Sequence, residues 1–144
     1  MTNKIILASK SKVRKEILEK NKIPNEVKPS NVDEDPVKKN LIKEKVKPEI
    51  ISMNLAELKA NKVSLTNENQ MVLGADSVID LEGELISKPE NREEGLVILN
   101  KLNGKKHYLI SSVCISKNGS MIWNYTDKAA LTMKNLSEED LKIY

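Results

Sequence analysis

The sequence contains no phenylalanine, and aromatic residues of any kind fill 3% of its 144 positions. A core must therefore be assembled from aliphatic side chains. Cys114 is the sole cysteine, which excludes an intrachain disulfide and a multi-cysteine metal knuckle and makes a reducing, cytoplasmic setting the expectation. Flanked by Val113 and Ile115, it reads as a core residue. His107 is the sole histidine and stands at the start of a strand pattern, so it reads as structural and anchors no Ser/His/Asp triad. Apart from Ile5 to Ala8 near the start, apolar runs are short. None approaches the roughly 18 to 20 residues of a membrane span, so no anchor, export signal or membrane partner is expected. Charge of one sign is also scarce: 24 Lys and Arg stand against 21 Asp and Glu, a net +3 spread along the chain. That scatter argues against a nucleic-acid partner and favours a small anionic ligand. P-loop, dinucleotide-binding and zinc-protease motifs are absent.

What is present is a run of alternating strand and helix signals. Apolar residues at 39% and charged residues at 31% fit a folded chain, and the length fits a single domain over residues 1–144. In "KIILASKSKVRKEIL", Ile5 to Ala8 read as a buried strand, and Val13, Ile17 and Leu18 recur at helical spacing after Ser11, a plausible N-cap. Pro24 and Pro29 bracket a short strand and a polar loop ending in Asp33, Glu34 and Asp35, after which Pro36 can open an exposed helix or ordered loop. Pro48 starts an amphipathic helix whose apolar positions are Ile50, Met53, Leu55, Leu58 and Val63 and which reaches about Leu65. Met71 to Leu73 read as a strand, Gly74-Ala75-Asp76 as a junction, and Glu82-Gly83 as a hairpin turn beyond a second apolar piece. Asn91 or Glu90 can cap a helix that runs to Leu102 and closes at Gly104. Two long antiparallel strands then meet at Asn118-Gly119, and "SEED" from Ser137 signals one more helix start. The sum is a mixed-sheet α/β domain, whose sites are expected at strand ends.

Several residues could carry chemistry. A strand that ends in Ser9 and Ser11 and enters a helix offers hydroxyls, unpaired N–H groups and a favourable dipole for a phosphate, with the Arg14 guanidinium in the first turn. The plainer reading is a serine cap on a basic helix. Asp76, after an apolar strand and two small residues, suits a general base or metal ligand at a strand end, or simply a turn. Glu34 could be a second hard oxygen ligand or part of a solvated acidic loop. Lys88, held extended before Pro89, and Lys59, late in its helix, could be phosphate cations or ordinary surface lysines.

Taken in order, Ser9-x-Ser11-x-x-Arg14, Asp33-Glu34, Lys59-Ala60, Gly74-Ala75-Asp76, Gly83 to Lys88-Pro89, and Leu102-x-Gly104 with His107 resemble the Maf family of nucleoside triphosphate pyrophosphatases over essentially the whole chain. The resemblance implies a Maf-like, ITPase-like α/β fold: an elongated mixed β-sheet flanked by helices, with two lobes around a cleft. It implies hydrolysis of a nucleoside triphosphate to a monophosphate and pyrophosphate, with a divalent cation, Mg²⁺ or Mn²⁺. Carried over residue by residue, Asp76 would be the general base; Ser9, Ser11, Arg14, Lys59 and Lys88 would hold the triphosphate; and Glu34 with Asp76 would hold the metal. A homodimer is expected by the same analogy. The alternative within the resemblance is a non-catalytic nucleotide-binding protein with a regulatory role in cell division.

The departures matter as well. Many members read Ser-Pro-Arg-Arg where this chain has Ser11, Lys12, Val13 and Arg14. The family associates base choice with that stretch and with the residue after the catalytic Asp, here Ser77. Val13 departs from the dTTP/UTP subgroup, whereas Ser77 is close to that subgroup's Thr and unlike the Gln of the 7-methyl-GTP subgroup. Members also continue past the last helix start into a Gly-rich segment with a substrate-contacting Gln, so the resemblance implies a C-terminally shorter chain.

Overall fold

Hydrophobic patterning, caps and two Gly-containing turns build the elements of the structure, a computed structural model that describes residues 4–86, 91–137 and 139–140. The first strand, β1 (Ile5–Leu7), feeds α1 (Lys12–Lys20) across Ser11, whose Oγ accepts the Arg14 N–H at 3.3 Å and so satisfies one free donor of the first turn. There follow β2 (Asn25–Val27), α2 (Asp35–Lys43) with Pro36 in its first turn, and α3 (Pro48–Leu65). The chain then forms β3 (Val72–Leu81), β4 (Glu84–Ile86), α4 (Arg92–Leu102) capped by Asn91, and the long hairpin of β5 (Lys106–Lys117) and β6 (Ser120–Thr132). Both tight turns place consecutive residues at positive φ, Glu82 and Gly83 in one, Asn118 and Gly119 in the other, the geometry that matches strand twist. Ser137 Oγ accepts the Asp140 N–H at 3.2 Å, as a cap there should.

The sheet runs β2-β1-β3-β5-β6, with β1 parallel to β2 and β3 and the other pairs antiparallel. This is the mixed α/β architecture expected from the sequence. Short β4 pairs with Ile79 to Leu81 of β3 while β5 occupies the other edge, so β4 shares an edge with β1, which pairs only with Val72 and Leu73. Between β1 and β4 that edge is open from Gly74 to Val78. There α3 takes over: Lys59 Nζ donates to the Ala75 carbonyl at 3.1 Å, and Ser52 Oγ to the Asp76 carbonyl at 3.2 Å, so the helix is fastened to the strand backbone at two successive residues.

Gly74-Ala75-Asp76 is not a junction between two strands but the middle of β3, and Asp76 is a mid-strand residue beside the open edge. The glycine answers a packing demand: a Cβ at Gly74 would lie 2.8 Å from Ala60 Cβ and would collide with the Ala56 carbonyl. The buried face of α3 is only in part the apolar stripe read from sequence, of which Leu55 and Val63 are buried and Met53 packs on the core. Ile50 is half exposed, whereas Ser52, Ala56, Lys59, Ala60 and Ser64 are buried with Ile51, Leu55 and Val63. Small side chains let the helix lie close on the sheet.

Side chains alternate along β3, so Val72, Gly74 and Asp76 face α3 while Leu73, Ala75 and Ser77 face the other way. On the α3 side Ile6, Ala8, Ala56, Ala60, Val63, Val72 and Cys114 form one core. At the far end of β3, Leu81, Ile86 and Leu102 form a second with Ile79, Ile98 and Met133, on the opposite face beneath α4. The two cores accord with the two-lobed expectation. Cys114 is fully buried, and desolvation pushes its thiol up to about 11.

Candidate active site

Two groups of side chains meet around the carboxyl end of β1 and the open edge of β3. The first is local. Ser9 Oγ accepts the Arg14 guanidinium at 3.1 Å and the Ser11 N–H at 3.2 Å. With two donors already aimed at it, this nearly buried hydroxyl has its own hydrogen left to give, and the described residues supply no acceptor. Ser9, Ser11 and Arg14 therefore form a donor-rich corner, as the sequence suggested, and Ser11 is at once a helix cap and a member of it.

The second group is assembled by the tertiary fold. The Lys59 ammonium lies 2.7 Å from Glu34 Oε1, 3.1 Å from Asp76 Oδ1 and 3.1 Å from the Ala75 carbonyl, so its three hydrogens have three acceptors. Lys59 is no surface lysine: it and Asp76 are 8% and 7% exposed. Burial raises the Asp76 carboxyl above its usual range, and the Lys59 charge and hydrogen bond only partly counter it; Glu34 adds to the rise and Lys38 opposes it. Asp76 Oδ2 is buried with no hydrogen-bond partner among the described residues. An unpaired carboxylate oxygen of this kind is costly unless something else engages it.

These oxygens fit a hard divalent cation. Two carboxylates already share one positive charge, and Asp76 Oδ2 offers a ligand atom that no group among the described residues uses. Among the described residues no cluster of three or more His, Cys, Asp or Glu exists. A cation taken by Glu34 and Asp76 would thus keep most of its positions for water or for ligand oxygens, the habit of Mg²⁺.

Two cavities flank the site. One, about 230 Å³, is lined by Ala8, Ser9, Asn31, Glu34 and Lys59 at the carboxyl end of β1. The other, about 590 Å³, lies on the opposite face of the sheet between α1 and the bare stretch of β3 and β5. Its lining includes Ser11, Val13, Arg14, Asp76 and Ser77. Every described candidate read from sequence thus borders one cavity or the other. Lys88 lies outside the described residues. His107 is buried at the start of β5, five positions from Ser112, which sits opposite Asp76, so it stands away from this chemistry. Sequence reasoning missed Ser52, which fastens α3 to the Asp76 backbone, and Ser111, whose Oγ is 3.1 Å from Ser77 Oγ. Only the strand register reveals the second of these.

Comparison with known proteins gives the following. A family model described as Maf-like protein matches residues 4–144. A nucleoside triphosphate pyrophosphatase of Pelagibacter ubique is 67% identical over 144 residues, all of this chain and 74% of that protein. A protein of the same name from Ruegeria pomeroyi is 39% identical over the whole chain and 72% of its own length. A HAM1 protein structure from Coxiella burnetii matches with a TM-score of 0.54 at 14% identity, covering 88% of this chain and 70% of that one, a likeness of fold alone. No helix among the described residues is long and apolar enough to cross a membrane.

Proposed function

This chain belongs to the Maf-like protein family, and from that premise we propose that it is a nucleoside triphosphate pyrophosphatase, which hydrolyses its substrate to a nucleoside monophosphate and pyrophosphate. The observation that carries the reading is the buried Lys59–Asp76 pair, joined by the half-buried Glu34 and with one carboxylate oxygen unpaired among the described residues, set beside the donor corner of Ser9, Ser11 and Arg14. A triphosphate brings the several negative charges that such a corner lacks. The names of the similar proteins support the same reaction.

In this mechanism Arg14 and the Ser9 hydroxyl grip phosphoryl oxygens, and Arg14 does so with a planar fork that holds them in one orientation. Lys59 answers charge that develops as the anhydride breaks, from a dry position where electrostatic stabilisation is strong. The Asp76 carboxylate takes the proton of the attacking water, and pyrophosphate departs with the bridging oxygen. A divalent cation, Mg²⁺ or Mn²⁺, held by Glu34 and Asp76 would supply Lewis-acid neutralisation of the phosphoryl oxygens. By the same resemblance Lys88 would add a further phosphate cation, and residues 1–144 would work as one domain in a cytoplasmic homodimer. Val13 and Ser77 would be the residues associated with base choice, Val13 departing from the dTTP/UTP pattern and Ser77 standing close to it.

The test is pyrophosphate release from a panel of canonical and modified triphosphates with Mg²⁺, for the parent protein and Asp76→Ala. Release that disappears in the variant supports the mechanism. Turnover on no substrate, or activity unchanged by the substitution, sinks it, and saturable binding without turnover would favour the non-catalytic reading.

A further inference from the structure

The larger cavity carries a second device on its floor. Ser77 and Ser111 face each other across β3 and β5 with their hydroxyl oxygens 3.1 Å apart, and both remain accessible from the cavity. The walls are apolar: Leu73 and Val113 on the sheet, Val13 and Ile17 on α1, the last two more than half exposed and so without a protein partner for much of their surface. A volume of about 590 Å³ with greasy walls and one polar pair is the make-up of a pocket for a flat heterocycle. Arg14 and Ser11 stand at its rim, so a nucleotide gripped there by its phosphates would place its base inside.

Resting on the pyrophosphatase reading above, we propose that Ser111 is a specificity residue that acts jointly with Ser77 as a reversible hydrogen-bonding pair, and that this pair makes the site accept keto and amino bases of one ring size alike. Each hydroxyl has one hydrogen and can also accept. Whichever of the two donates to the other, one free hydrogen and one free acceptor face the cavity. Rotating both O–H bonds exchanges the two roles at little cost. A uracil edge presents a keto acceptor beside a ring N–H, and a cytosine edge presents an amino donor beside a ring nitrogen. The pair can match either order. A fixed donor or acceptor could not, because the wrong base would leave a buried polar group unpaired.

The experiment is calorimetric binding of the α,β-methylene analogues of UTP and CTP with Mg²⁺, beside turnover of UTP and CTP. The expected result is dissociation constants for the two analogues within about fivefold of each other. Ser111→Ala should weaken both by roughly fivefold, about the worth of one hydrogen bond, and Ser111→Thr, which keeps the hydroxyl, should restore both. Melting curves show whether each variant is folded. A wild-type preference above about fivefold for one analogue overturns the proposal, as do affinities unmoved by Ser111→Ala. Strong discrimination with intact turnover sinks the pair and spares the hydrolase reading, whereas even-handed binding without turnover does the reverse. Failure of both analogues to bind sinks the two together.

Discussion

Lys59 Nζ sits 3.1 Å from Asp76 Oδ1 with both residues buried, and the same ammonium is 2.7 Å from Glu34. The lysine therefore holds the position between two carboxylates that a divalent cation would also seek. Removing it by Lys59→Met leaves two acidic groups facing each other without a counter-charge. Breaking such a pair costs about 3 kcal/mol or more, so the variant should melt lower than the parent in chelator and recover on addition of Mn²⁺. Bound Mn²⁺ should be detectable by electron paramagnetic resonance without nucleotide, at concentrations where the parent shows little. Hydrolysis should fall on the order of a hundredfold, the scale of losing one preorganised electrostatic group. A melting temperature indifferent to both the substitution and Mn²⁺ would refute this account.

Asp76 sets the acid limb of the pH profile. Its folded pKa lies above the ordinary 3.8 because burial outweighs Lys59, and a general base must be ionised, so kcat/KM should begin to fall at a pH above the usual aspartate range. The stability effect has the same origin. Since the folded value exceeds the unfolded one, the contribution is favourable below 3.8 and is lost as pH rises through the folded value. Asp76→Asn should thus melt no lower than the parent at pH 7 while losing on the order of a thousandfold in activity. An acid limb at ordinary aspartate pH would contradict the assignment.

Gly74→Ala tests the packing that delivers Lys59. The new methyl would be 2.8 Å from Ala60 Cβ and would press on the α3 backbone, one residue from Lys59. Overpacking of this sort costs about 1 to 3 kcal/mol. A lower melting temperature together with a steep loss of kcat is expected; a loss of stability with kcat intact would show that α3 can shift without moving the ammonium.

Arg14→Lys tests the phosphate corner. A lysine keeps the charge but loses the planar fork and the 3.1 Å bond to Ser9 Oγ. KM for a triphosphate should rise on the order of tenfold with fold stability little changed, as read by initial rates and thermal melting.

Local chemistry was legible in the sequence where it acts over a few residues. Ser11 and Asn91 cap helices as their positions suggest, Pro48 opens α3, and both glycine turns fall where they were read. Gly74-Ala75-Asp76 misled because glycine and aspartate usually interrupt strands, whereas here glycine admits a helix and aspartate is neutralised by a lysine 17 residues earlier. The α3 stripe misled for a related reason: hydrophobic periodicity does not register serines, alanines and a paired lysine as a buried face. Long-range partnerships such as Glu34 with Lys59, or Ser77 with Ser111, have no signature in one sequence, since only folding fixes the register that joins them.

The uninterrupted pairing of β3 with β5, nine successive residue pairs from Val72 with Ser116 to Asp80 with Tyr108, has a mechanical consequence. A ladder without a break offers no hinge, so the floor beneath both cores behaves as a rigid beam. Any tightening around a nucleotide then falls to the parts mounted on that beam, chiefly α1 and the loop carrying Glu34. The spacing between Asp76 and the Ser77–Ser111 pair, all three carried by the ladder itself, is set in advance, like marks on a ruler.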